Sequence, residues 1–130
     1  MEMEDTSHHL GDLQLAIMRS LWRRGEATVA EVHEDLAAER GLALTTIATM
    51  LTKLEKKGVV DHRMDGRRFI YQPKVELSQV RRSMVAELTS QLFRGDVSAL
   101  VNHLISEHEI DPGELVRLKA AIAAREKEEL

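Results

Sequence analysis

Apolar side chains recur at two different spacings along this chain, and the change between them indicates its architecture. Three stretches have the spacing of roughly three to four residues that places side chains on one helix face: residues 10–24, 28–40 and 44–58. Residues 59–72 instead contain two short runs rich in β-branched and aromatic side chains. After residue 75 only the helical spacing is found. The pattern predicts a mainly α protein with a small β ribbon.

The helix from Leu44 to Gly58 has two unlike faces. An apolar stripe consists of Ile47, Leu51 and Leu54. The other face carries hydroxyls followed by cations: Thr45, Thr46, Thr49, Thr52, Lys53 and Lys56. Each threonine costs a helix roughly 0.5 kcal/mol relative to alanine, so a face built for stability alone would carry other residues. Short hydroxyl side chains reach base edges and phosphates, which predicts a DNA-binding face. Threonines that merely tolerate solvent are the alternative.

A helix-turn-helix is predicted from the segment before this helix. Thr28-Val-Ala-Glu31 matches the capping box S/T-x-x-E, which marks the first residues of a helix. Gly41 ends that helix, and the short turn over residues 41–43 leads into the threonine-rich helix. Two helices joined by a short turn with glycine form the helix-turn-helix arrangement.

A wing is predicted to follow the second helix. Residues 59–64 and 67–72 are the predicted strands, and Asp65-Gly66 between them is typical of a type I′ turn. Arg67 and Arg68 would then lie at the tip of the ribbon. A charged hairpin whose arginines only keep the turn soluble is the alternative to a DNA-binding wing.

Residues 76–130 contain three further predicted helices with apolar stripes. Residues 1–9 are predicted to be a flexible tail, 10–75 a winged-helix domain and 76–130 a dimerisation domain. The last of these has too little mass for a core of its own, so we expect it to pack against a second copy of the chain. A helical cap on the first domain of the same chain is the alternative. The predicted dimerisation residues are Leu77, Val80, Met84, Leu88, Leu92, Val97, Leu100, Val101, Leu104, Leu115, Leu118 and Ile122.

The distribution of charge along the chain supports nucleic acid as a partner more than the net charge does. The 130 residues carry a net charge of −4. Residues 53–74 nevertheless contain seven Lys/Arg and three acids, a local excess of +4. A positive strip of this kind on an acidic protein is an electrostatic footprint for DNA.

Composition and spacing exclude several other classes. The chain has no cysteine, which excludes disulfides and zinc-thiolate sites and is compatible with a reducing cytoplasm. No apolar run approaches about 18 residues, so no membrane insertion is expected. His103 and His108 are five residues apart, off the spacing that would pair two metal ligands on a helix. No nucleophile, phosphate loop or paired carboxylates stand at a catalytic spacing. We therefore expect a cytoplasmic protein that is not an enzyme and needs no metal or cofactor.

Four motifs resemble the BlaI/MecI/CopY family of bacterial repressors: LGDLQLAIMRSLW, ATVAEVHEDL, TTIATMLTKLEKKGVV and DGRRFIYQP. The resemblance covers residues 10–128. It implies an N-terminal winged helix, a C-terminal three-helix dimerisation region and an operator with dyad-related TACA/TGTA-like half-sites. It also implies that Thr46 and Thr49 contact bases and phosphates, with Lys53 at a basic position further along the helix.

The resemblance leaves the inducing signal open. Copper-responsive relatives carry a C-terminal cysteine motif that this chain lacks. Penicillinase repressors are cleaved at an Asn-Phe bond after a membrane sensor detects β-lactam, which would make an inducing protease or membrane sensor a partner. No Asn-Phe occurs near Asn102-His103-Leu104.

Two functions are therefore compared. The first is a dimeric, sequence-specific DNA-binding repressor, in which the threonines read double-stranded DNA and Lys53, Lys56, Arg67 and Arg68 neutralise phosphates. The second is a winged helix that binds another protein. An apolar patch on the exposed helix face would favour the second function, and the positive strip favours the first.

Overall fold

The computed structural model describes residues 9–129. Of the predicted flexible tail at residues 1–9, all but His9 lies outside this range. The described residues form six helices and a three-stranded antiparallel sheet, which confirms the predicted fold class. The elements are α1 Asp12–Arg24, β1 Ala27–Thr28, α2 Val29–Arg40, α3 Leu44–Lys56, β2 Val60–Asp65, β3 Arg68–Pro73, α4 Leu77–Phe93, α5 Val97–Ser106 and α6 Pro112–Glu128.

The chain forms two compact units that meet within α4, between Val85 and Ala86. The sequence boundary at residue 75 thus falls ten residues before this division. The N-terminal unit (residues up to Val85) holds α1 to α3, the sheet and the first half of α4. The C-terminal unit (residues from Ala86) holds the rest of α4, α5 and α6.

An aliphatic core holds the N-terminal unit together. Ile17 and Leu21 of α1 and Val32 of α2 are fully buried with the apolar stripe of α3. Trp22 packs at the edge of this core, and its indole Nε1 donates a hydrogen bond of 2.9 Å to the carbonyl oxygen of Val75.

Two predicted dimerisation residues belong to this same core. Val80 is 1% exposed within it, and Met84 packs against it partly buried. The assignment of Val80 to a dimer interface was therefore wrong. Its helical stripe is continuous with that of the C-terminal unit, so periodicity alone could not show that the first turns of α4 close the winged-helix core.

The sheet has the strand order β1-β3-β2 with antiparallel pairing throughout. Asp65 lies opposite Arg68, so the two-residue loop of the wing is Gly66-Arg67. Gly66 has φ +66°, whereas no positive φ occurs at Asp65 or Arg67. One positive φ, at a glycine in the first loop position, corresponds to a type II′ turn. The predicted type I′ turn at Asp65-Gly66 was therefore one residue out of register.

The C-terminal unit has well-capped helices but an open apolar surface. The carboxylates of Asp96 and Asp111 accept hydrogen bonds from the backbone N–H of Ala99 and Glu114, at 3.0 and 2.8 Å. No hydrophobic side chain among residues 86–129 is buried. Leu100, Leu104 and Leu115 are half-buried, and eight larger apolar residues are exposed: Leu88, Leu92, Val97, Val101, Ile105, Val116, Leu118 and Ile122.

Candidate nucleic-acid interface

Burial fixes which face of α3 is open to a ligand. Ile47, Leu51 and Leu54 are each 0% exposed, so the apolar stripe anchors the helix to the core. Thr45 and Thr49 are exposed on the opposite face, and Thr46 is half-buried at its edge. The hydroxyl face predicted from the sequence is therefore presented outward on a rigid support.

The start of α3 lacks a capping side chain. Its N-cap residue is Ala43, which makes no side-chain cap hydrogen bond. By contrast, α2 begins with the predicted capping box. The Thr28 hydroxyl accepts from the Glu31 N–H at 3.2 Å, and the Glu31 carboxylate accepts from the Thr28 N–H at 2.9 Å. In α3 the corresponding N–H, that of Thr46, donates instead to the backbone carbonyl oxygen of Ala43 at 3.1 Å.

The turn between α2 and α3 is braced on both sides. Gly41 has φ +57°, which lets the chain reverse after α2 without steric strain. His33 of α2 forms a hydrogen bond of 2.7 Å with the carbonyl oxygen of Leu42 in the turn. The angle at which α3 leaves α2 is therefore set by specific contacts as well as by packing.

A group of hydrogen bonds to one carboxylate connects α2 to α1. The Nε and Nη2 of Arg24 donate to the two carboxylate oxygens of Asp35, both at 2.8 Å, and Ser20 Oγ donates at 2.6 Å. The hydrogen bonds from Arg24 hold the pKa of Asp35 well below its usual range, against the opposing effect of burial, and the bond from Ser20 adds to the decrease. The same contact raises the pKa of Arg24.

The structure divides the cations of the positive strip into two groups. Lys53, Lys56, Arg67 and Lys74 are exposed and make no ion pair among the described residues. Lys57 donates to the carbonyl oxygen of His9 at 3.2 Å and to Gln14 at 3.0 Å, and Arg63 pairs with Glu26 at 2.9 Å. Only the first group is therefore available to phosphates without breaking an internal contact.

Arg68 differs from its neighbour Arg67. Its guanidinium lies 3.1 Å from the carboxylate of Asp65, across the wing loop. It also lines a shallow pocket with Glu26 and Glu31. Side chains alternate between the faces of a strand, so Arg68 lies on the opposite face of β3 from Tyr71.

Polar and aromatic residues that sequence reasoning missed join the wing to α3. This wing cluster consists of Thr52, Glu55, His62, Phe69 and Tyr71. The Nδ1 of His62 lies 2.8 and 3.0 Å from the two carboxylate oxygens of Glu55, and its ring stacks on Phe69 with centroids 4.2 Å apart. Burial raises the pKa of Tyr71, and a hydrogen bond with Thr52 partly offsets this. The sequence predicted that β2 pairs with β3, but the observed register, with its turn one residue later than predicted, is what places His62 opposite Tyr71.

Within residues 9–129, no group of His, Asp and Glu side chains is placed to hold a metal ion. None of the described helices combines the length and apolar character needed to cross a bilayer.

Known proteins place this arrangement in a family. The family model described as Penicillinase repressor matches residues 10–124. The chain belongs to the penicillinase repressor family. The transcriptional regulator BlaI of Mycobacterium tuberculosis is 34% identical over 110 residues, which are 83% of this chain and 80% of that protein. The methicillin resistance regulatory protein MecI of Mammaliicoccus sciuri is 22% identical over 117 residues, 90% and 95% of the two chains.

A solved structure agrees with this assignment. The DNA-binding domain of the repressor BlaI superposes with a TM-score of 0.50 at 32% identity, and covers 55% of this chain and 87% of that one. The predicted family is thereby confirmed, and with it the prediction of a DNA-binding transcriptional repressor that is not an enzyme. The protein-binding alternative loses its support.

Proposed function

We propose that this penicillinase repressor homologue represses transcription as a homodimer bound to a palindromic DNA operator. In this arrangement α3 enters the major groove and the wing follows the adjacent backbone. The observation that carries the proposal is that Thr45, Thr49, Lys53 and Lys56 are exposed along α3 at helical spacing, while Arg67 is exposed in the wing loop. Lys53, Lys56 and Arg67 make no ion pair among the described residues.

Each group of residues has a separate role in this proposal. Thr45, Thr46 and Thr49 contact base edges, because their hydroxyls donate or accept and their methyl groups fit thymine. Lys53, Lys56 and Arg67 neutralise phosphates and fix the register on the duplex. Arg68 contributes only where a phosphate replaces Asp65 as its partner.

The C-terminal unit supplies the dimer contact. A unit of this size with eight exposed large apolar residues and no buried one cannot be stabilised by its own core. A second copy of the same chain offers a matching apolar surface, and an isologous contact places two recognition helices on a two-fold axis. The dimerisation surface is therefore assigned to α5, α6 and the end of α4. Leu77, Val80 and Met84 are left out because they lie in the part of α4 that belongs to the N-terminal unit. An inducing protease or membrane sensor as a further partner stays a prediction from the family resemblance.

The test is a fluorescence-anisotropy titration of the purified chain at about 0.15 M salt, because affinities depend on salt concentration. One duplex carries a TACA/TGTA palindrome, a second carries one half-site, and a third is a shuffled sequence of equal composition. We expect a preference of at least roughly 10³-fold for the palindrome over the shuffled duplex. Two chains should bind each palindrome.

Selection of duplexes from a random pool accompanies the titration, so that a different operator is recognised as such. Failure to enrich any sequence would contradict the proposed base contacts. A stoichiometry of one chain per selected duplex would contradict the dimer.

A further inference from the structure

The wing cluster contains a carboxylate where a DNA-binding surface would not be expected to have one. Glu55 is the single acidic residue of α3, and Lys53 and Lys56 flank it in the sequence. A carboxylate in this position repels phosphate and weakens the field of the neighbouring lysines. Electrostatics alone therefore does not explain Glu55, whose two oxygens both face the Nδ1 of His62.

Hydrogen-bond chemistry defines the state of the His62 ring. An ionised carboxylate only accepts hydrogen bonds, so Nδ1 of His62 is the donor to Glu55. The ring planes of His62 and Phe69 are within 3° of parallel, and the Tyr71 ring centroid is 5.5 Å from that of His62. The orientation of the His62 ring is thus set by α3 on one side and by β3 on the other.

We propose that His62 is a positioning residue that holds the wing against the recognition helix in its DNA-binding orientation. This inference rests on the proposed function, because the expected effect of His62 is on operator affinity. The hydrogen bond to Glu55 and the stack on Phe69 order the ribbon before DNA arrives. The free-energy cost of ordering the ribbon is then not subtracted from the free energy of DNA binding. Glu55 is retained as the acceptor for His62 in spite of its charge.

The direction in which Glu55→Ala changes DNA affinity distinguishes this proposal from a purely electrostatic effect of Glu55. Glu55→Ala removes a negative charge, which by itself raises affinity for any duplex. Loss of the wing contact instead lowers affinity. We expect a decrease of about tenfold for His62→Ala, which removes both the part-buried hydrogen bond and the ring stack, and a smaller decrease for Glu55→Ala, which removes only the hydrogen bond. The double variant should lose no more than His62→Ala alone, since the hydrogen bond is already absent there. Higher affinity of Glu55→Ala would overturn the proposal.

Asp65→Ala is the matched control. Asp65 is also an acid of the positive strip, but it pairs with Arg68 and lies outside the wing cluster. We expect Asp65→Ala to leave operator affinity unchanged or to raise it. His62→Asn retains a donor at the Nδ1 position without the ring, and should recover part of the loss. If His62→Asn recovers no operator affinity, and Glu55→Ala changes that affinity as Asp65→Ala does, the role of the His62–Glu55 contact is contradicted.

The salt dependence distinguishes positioning from direct phosphate contact. If His62 only orders the wing, the bound complex keeps its phosphate contacts and the slope of log K against log salt stays that of the wild type. A direct contact between His62 and a phosphate would make the slope of His62→Ala shallower by about one.

A measurement without DNA separates failure of this inference from failure of the proposed function. The chain has no native cysteine. Spin labels at Thr49→Cys and Arg67→Cys therefore report the distance between α3 and the wing loop by double electron–electron resonance. The labelled chain is diluted with unlabelled protein so that one pair is observed. We expect a broader distance distribution in His62→Ala than in its parent, with Trp22 fluorescence confirming that both are folded. Equal widths would overturn the proposal, whichever sequence the protein binds.

Discussion

Thr49 shows how one side chain can serve binding at the expense of stability. It is exposed on α3 and contributes nothing to the core. Alanine has a higher helix propensity than threonine, so stability alone does not account for threonine here. A residue that is locally unfavourable and outward-facing is best explained by what it contacts outside the chain.

Thr49→Ala should therefore change affinity and stability in opposite directions. We expect operator affinity to fall by about 1–3 kcal/mol with relaxed discrimination between duplexes. The free energy of unfolding should stay level or rise by roughly 0.5 kcal/mol, because alanine favours the helix. Anisotropy titrations and urea denaturation measure the two quantities.

Arg67→Ala is the contrasting variant for Thr49→Ala. Arg67 is proposed to contact phosphate, so its removal should weaken all duplexes alike and make the salt slope shallower by about one. Equal losses on operator and shuffled DNA for Thr49→Ala would show that it, too, binds only the backbone.

At the scale of elements, the position of the recognition helix depends on contacts that lie behind it. The Asp35 carboxylate joins α2 to α1 through Arg24 and Ser20, and His33 braces the turn into α3. Paired charge-assisted hydrogen bonds of this kind have strict geometry as well as energy. The helix-turn-helix is therefore oriented by a few polar contacts at the edge of an aliphatic core.

Asp35→Asn should lower the free energy of unfolding at pH 7 by about 1–2 kcal/mol, because the charge-assisted bonds are weakened in a partly exposed site. The folded-state pKa of Asp35 lies below its ordinary value. Its contribution is thus complete above the ordinary aspartate pKa of about 3.9 and is lost as the pH falls toward the depressed value. The difference between wild type and variant should shrink over that acidic range.

Urea denaturation followed by Trp22 fluorescence at several pH values measures this difference. Glu34→Gln is the matched control, since Glu34 lies on the same helix but is 79% exposed and 4.0 Å from Arg24. A change of less than about 0.5 kcal/mol is expected there. A difference for Asp35→Asn that does not vary with pH would contradict the pairing.

At the scale of the whole molecule, the two units differ in the kind of side chain that they expose. The N-terminal unit buries most of its apolar residues in one core and exposes hydroxyls and cations on α3. The C-terminal unit exposes its apolar residues and buries almost nothing. The first arrangement suits a DNA surface, and the second suits the surface of another protein. In the proposed dimer, joining the two units in one chain links dimer formation to operator binding through bivalency.

Val97→Glu should disrupt the dimer without unfolding the chain. Val97 is 63% exposed, so a glutamate there costs little in the isolated chain, but burying it in an interface would be unfavourable. We expect sedimentation to shift toward the monomer and palindrome affinity to fall by at least roughly 10²-fold, as the second half-site contact is lost. Binding to a single half-site should be unchanged.

Ser98→Glu is the control for Val97→Glu, because it adds the same charge in the same first turn of α5 at an exposed polar position. It should leave the oligomeric state unaltered. Dimerisation that survives Val97→Glu would remove α5 from the proposed interface.

Much of the architecture follows from patterns between residues that are near one another in the chain. Helical periodicity placed the helices, and the spacing of Thr28 and Glu31 placed the start of α2. The capping box is a contact between residues three positions apart, so the sequence alone predicts it. The strand β1 was missed because two residues, Ala27 and Thr28, are too few to show a period.

The sequence by itself determined the six helices, the two wing strands and the outward face of α3, since local spacing encodes them, and its motifs carried the resemblance to the family. Only the tertiary structure decided that Val80 closes the winged-helix core, that the wing turns at Gly66-Arg67, and that His62 contacts Glu55 and Phe69. The physical reason is the range of the interactions. Packing and strand register depend on residues that are distant in the chain, and periodicity is the same whether a stripe faces its own core or another molecule.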